Sequence, residues 1–65
     1  MLQAPKGKFR VVGVDTFEYP PKDYLIGDFN TLDEAQRVAD MKGRQTHPVY
    51  VYSDQEKLLF EAGSL

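Results

Sequence analysis

Residues 31–43, TLDEAQRVADMKG, are the one stretch of this chain with clear helical periodicity, and strand-like runs flank them on both sides. Leu32, Ala35, Val38, Ala39 and Met41 recur at the spacing that lines one face of a helix. Thr31 with Glu34 three residues later is a capping box, in which the hydroxyl accepts from a backbone N–H that the first turn leaves unpaired. Asp33 and Glu34 stand where the helix dipole favours negative charge, and Lys42 where it favours positive. Asp33 and Arg37 form an i,i+4 pair on the polar side. Gly43 is expected in the left-handed conformation that ends many helices. One helix of about three turns can cover one face of a sheet and no more. That limit constrains everything else the chain can build.

KFRVVGVDTF (8–17) is rich in Val and Phe and reads as a first strand, with Phe9 and Val11 on one face and Val12 and Val14 on the other. Gly13 inside it points to a bulge or a close approach of backbone. EYPPKD (18–23) breaks the pattern, since Pro20 and Pro21 donate no backbone hydrogen bond. YLIGDF (24–29) then closes a wide, proline-stiffened hairpin. After the helix, PVYVYS (48–53) and KLLFEA (57–62) flank DQE, a short hairpin connection. The expected fold is α+β: a two-layer ββαββ arrangement, with a four-stranded, mainly antiparallel sheet and one helix packed on one face. Residues 1–7 read as a flexible lead-in and 8–65 as a single domain.

A sheet with one covered face should alternate strictly between apolar and polar residues, and this one does not. With Val49, Val51, Leu58 and Phe60 toward the helix, the far face carries Tyr50, Tyr52, Leu59, Val12 and Val14. Tyr19 and Tyr24 add a partly apolar tip at the first hairpin. Contiguous apolar surface of that kind marks interaction sites, and tyrosine suits them because it offers area with a polar end. The alternative is that the 17–23 loop and the stems of Arg10, Lys57 and Tyr19 fold over the face.

A chain of 65 residues buries only about 60% of the surface that its unfolded form exposes, so association would supply burial that one copy lacks. There is no cysteine, which excludes disulfides and thiolate metal sites and is compatible with the cytoplasm. Net charge is −2, with pI near 5.1 and the basic residues scattered. That balance argues against nucleic acid, which is bound through clustered cations. No run approaches the ~20 apolar residues of a membrane span, so no membrane role is expected.

Four carboxylates, Asp15, Glu18, Asp23 and Asp28, raise the question of a metal. DFNTLDE begins as an EF-hand loop does, but the turn glycine is missing and Ala39 stands where a bidentate Glu belongs. Asp28 is expected to act locally, in the turn or near the helix N-terminus. His47, the one histidine, precedes Pro48 and has no second His or Cys with which to hold zinc. The glycines form no phosphate-binding fingerprint, and so short a chain leaves little room for a concave pocket of several hundred Å³. The expectation is a non-enzymatic interaction module with no cofactor, metal or catalytic residue. Its partner would be a second copy, making a homodimer, or a larger protein. Single-stranded nucleic acid stacked on Tyr50 and Tyr52 is the alternative. The weakest reading is an enzyme using His47 with Asp54 or Asp15.

FRVVGVDTF, GDFNTLDEAQRVADMKG and VYVYSDQEKLLFEAGSL together resemble a group of small single-domain bacterial proteins. Their pattern is a strand ending in G-V-D-T-F, a TLEEA-type helix start and a terminal hairpin containing Asp-Gln. The resemblance spans residues 8–65. It implies a shared fold, and brings neither an activity nor catalytic residues. In that pattern glycine stands where this chain has Glu56, which leaves the turn type open.

Overall fold

A computed structural model describes residues 2–44 and 47–63. Met1 of the lead-in, and Gln45, Thr46, Ser64 and Leu65 of the domain, lie outside them. The elements run β1 (Phe9–Asp15), β2 (Lys22–Phe29), α1 (Leu32–Lys42), β3 (Val49–Tyr52) and β4 (Leu58–Ala62). The strands form one antiparallel sheet in the order β2-β1-β3-β4, and α1 packs on one face of it. This is the expected α+β fold in ββαββ order.

The helix begins as its sequence dictates. Thr31 is extended, and its Oγ1 accepts from the Glu34 N–H at 3.2 Å while donating to Glu34 Oε1 at 3.3 Å. Its end differs from expectation. Gly43 is extended, with φ −66° and ψ 132°, and donates its N–H to Ala39 O at 2.7 Å. Glycine is required there for space: a Cβ would lie 2.9 Å from Ala39 O and from Ala62 of β4.

Val11, Ala35, Ala39, Val49 and Val51 make the core between helix and sheet, with Phe9, Ile26, Phe29, Leu32, Val38, Phe60 and Ala62 half-buried around it. Among the described residues no fully buried side chain is larger than valine. Leu58, expected to face the helix, does not join this core. An irregularity between Val51 and Tyr52 sets Leu58 opposite Tyr52 and leaves it 46% exposed. An extra residue in one strand shifts the alternation beyond it.

The β3–β4 connection is Ser53–Lys57, with its turn at Asp54–Glu56, as DQE suggested. Glu56 donates its N–H to Ser53 O, Ser53 donates to Lys57 O, and Glu56 takes the left-handed φ of 61°. That is a turn followed by a left-handed residue, the usual three-residue hairpin. Residues of the lead-in are held against this turn. Ala4 is buried and donates to Ser53 O, Gln3 Nε2 reaches Asp54 O, and the Gly7 N–H reaches Asp54 Oδ2 at 2.9 Å.

Candidate functional site

The face of the sheet opposite α1 is set by register. Val12 of β1 stands between Tyr50 of β3 and Leu25 of β2, Arg10 between Tyr52 and Asp28, and Val14 opposite Asp23. Tyr50 faces Glu61 of β4. Directly opposed residues share a face, so the structure brings Val12, Val14, Tyr50 and Tyr52 together, with Leu58 of β4 opposite Tyr52 and Leu59 the extra, unpaired residue beside it. Val12 is 1% exposed although it lies outside the helix-side core, so its neighbours close over it. Leu25, at 51% exposure, and Leu58 extend the patch to both edges of the sheet.

The polar groups of this face are arranged around that apolar row. Arg10 and Asp28 form a two-pronged pair across β1 and β2, Nε–Oδ1 at 2.8 Å and Nη2–Oδ2 at 3.0 Å. Asp28 thus works within β2, where the local turn or helix-end role expected of it does not apply. The hydrogen bond from Arg10 holds its carboxyl below the ordinary carboxylate value. Just before β1, Lys8 Nζ is bonded to Asn30 Oδ1. Burial, followed by the charges of Asp23, Tyr50, Glu56 and Glu61, pushes the Tyr52 hydroxyl above its usual value.

The two hairpin tyrosines do not join this surface. Tyr19 projects from the β1–β2 connection, 99% exposed, and so covers nothing. Tyr24 is paired with Gly13, which alternates with Val11 on the helix side. A Cβ on Gly13 would fall inside the Tyr24 ring, so the ring lies over the bare backbone. The close approach expected at Gly13 is this one.

On the helix side, beyond Tyr24, the structure has a cleft that residue count argued against. Its volume is about 530 Å³. Tyr24, Leu25, Ile26 and Met41 give it apolar walls, and Lys42, Arg44 and His47 stand at its polar side. Arg44 Nη1 donates to Met41 O at 3.2 Å and to Gly43 O at 2.9 Å, covering carbonyls at the helix end. His47 Nε2 is 3.4 Å from Asp15 Oδ1, and its ring meets Phe17 edge-on at 5.5 Å. Of the two acids considered for His47, Asp15 is the neighbour, while Asp54 lies in the β3–β4 turn bonded to Gly7. No motif in the sequence signals this cleft beyond the Met-Lys-Gly-Arg run after the helical stripe.

Comparison with known proteins adds no family: no protein-family model, curated protein or solved structure matches the chain. No described helix is long and apolar enough to cross a membrane.

Proposed function

We propose that the protein is a small non-enzymatic interaction module that packs the Tyr50–Tyr52 face of its sheet against protein, in the first instance a second copy of itself. The observation that supports this is the asymmetry of burial. Among the described residues the core under the helix closes on nothing larger than valine, while Tyr50, Tyr52 and Leu25 stand on a face that no described element covers. A sheet face gains most by meeting another layer, and an apolar centre with charged groups at its rim is the usual anatomy of an interface. Nucleic acid fits this face less well. Arg10 is already bonded to Asp28, and Asp23 and Glu61 bring negative charge, whereas single strands need a cationic groove beside the aromatic platform.

Sedimentation equilibrium over a wide concentration range tests the reading. The expected result is a monomer–dimer equilibrium that Tyr50→Ser with Tyr52→Ser weakens by about tenfold or more, with the helical circular-dichroism signal kept. A chain that stays monomeric at the highest concentration removes the second copy as the occupant. Dimerisation unaffected by the two substitutions removes the face. A fluorescence-anisotropy titration with single-stranded DNA at low salt addresses the nucleic-acid reading, which tight binding would restore.

A further inference from the structure

We propose that the cleft beside Tyr24 is a binding site for a small organic anion, an aromatic or aliphatic body ending in a carboxylate. It opens at the β2 edge of the sheet, toward the helix, and shares only Leu25 with the interface proposed above, so it does not depend on Tyr50 and Tyr52. The cleft of about 530 Å³ falls within the size range of small-molecule sites, roughly 300–1,000 Å³. Its lining divides by chemistry. Tyr24, Leu25, Ile26 and Met41 provide the apolar part, and Lys42, Arg44 and His47 provide nitrogen donors. Among the described residues no acidic side chain lines it, and the carboxylate of Asp15 stands behind His47, at 3.4 Å from Nε2. The chain as a whole has more acids than bases, so this local bias runs against its composition.

Two features hold the site in shape before a ligand arrives. The Tyr24 ring is seated over Gly13, where any side chain would displace it, so the apolar floor is fixed by the sheet. The Arg44 guanidinium is fixed by its bonds to Met41 O and Gly43 O, both made through Nη1. A guanidinium carries five N–H donors in a planar fork suited to carboxylates, so one nitrogen can serve the helix while others serve a ligand. Those same bonds cover the carbonyls at the helix C-terminus, whose dipole would otherwise repel an anion. Met41 is 73% exposed, and its polarisable thioether adapts to a flat or irregular body.

The experiment is a proton–nitrogen correlation NMR titration of the full chain with phenylacetate, with its neutral match phenylacetamide, and with inorganic phosphate. Saturable shifts of the Tyr24, Ile26, Met41, Lys42, Arg44 and His47 amides are expected with phenylacetate. Phenylacetamide and phosphate should each bind about tenfold more weakly or worse, since each lacks one half of the match. Arg44→Gln should weaken phenylacetate by a similar factor. Because that change also removes a helix-end contact, Met41→Glu is the second variant: it places an acid in the wall at an exposed position and should abolish saturation while the spectrum stays folded. Four results would each overturn the proposal: no saturation at millimolar phenylacetate, equal binding of the neutral amide, shifts centred on Tyr50 and Tyr52, or binding untouched in folded Met41→Glu.

Discussion

A methyl group added at Gly13 would enter the space that the Tyr24 ring holds. Gly13→Ala therefore unseats the ring, and the lost cross-strand packing should outweigh the gain in backbone entropy by about 1 kcal/mol. In a Tyr24→Ala background that clash is gone, and the same change should be neutral or mildly stabilising. Urea denaturation of the four-member cycle checks this, and strict additivity would dissociate the glycine from the ring. The Arg10–Asp28 pair yields a prediction in pH. The carboxyl of Asp28 is held below its ordinary value, first by the hydrogen bond from Arg10. A depressed folded-state value means that the stabilisation is fully present above the unfolded value, near pH 4, and is lost as pH falls through the lower folded one. Asp28→Asn should therefore flatten the acid limb of a stability–pH curve below about pH 4, leaving the neutral-to-basic limb in shape. At this scale the sequence was legible only in part. Gly13 announced a close approach because glycine inside a valine-rich strand has few other reasons to be there. The partner of Asp28 depended on register, which residue type does not encode, and Gly43 was needed for proximity to β4, not for its turn geometry.

The β3–β4 hairpin illustrates a local requirement met by an ill-suited residue. Glu56 sits at φ 61°, a conformation that costs non-glycine residues roughly 1–2 kcal/mol. Glu56→Gly should stabilise the protein by about 0.5–1 kcal/mol, after the extra entropy that glycine loses on folding. Thermal melts of Glu56→Gly beside Glu56→Ala check it, since the alanine variant keeps the strain and should show no such gain. The elements themselves were the most legible level. Helix α1 was written in the capping pair and the apolar stripe, and the hairpin turn in the break between two alternating runs. The irregularities in β2 and β4 were not. Each shifts the pairing by a single residue, and so moves Leu58 out of the core while Leu25 faces Val12 on the far side. Periodicity marks the strand without showing where a strand carries an extra residue.

For the whole molecule, the order ββαββ and the one-sided helix followed from counting elements, and with them the existence of an uncovered sheet face. That Val12, Val14, Tyr50 and Tyr52 would lie on one side of their strands also followed from alternation, whereas the cleft did not. The cleft arises where β2, the end of α1 and the approach to β3 meet, three segments that are distant in sequence. If the uncovered face binds a second copy, dimerisation is linked to folding and the melting temperature must rise with protein concentration. Melts across a hundredfold concentration range should show that rise for the natural chain, and none for Tyr50→Ser with Tyr52→Ser. The strand order β2-β1-β3-β4 has a consequence of another kind. The seam between β1 and β3 runs down the middle of the sheet, and each side of it is a hairpin continuous in sequence. A fragment ending at Arg44 would carry β1, β2 and the helix, and one beginning at His47 would carry β3 and β4. The first alone would leave Val11 without Val49 and Val51, and the second would leave those two without Val11, Ala35 and Ala39, so each piece lacks the core that the other supplies. Mixed in solution they should recover the helical signal that neither shows alone, which would make this chain a split tag whose halves report when they meet.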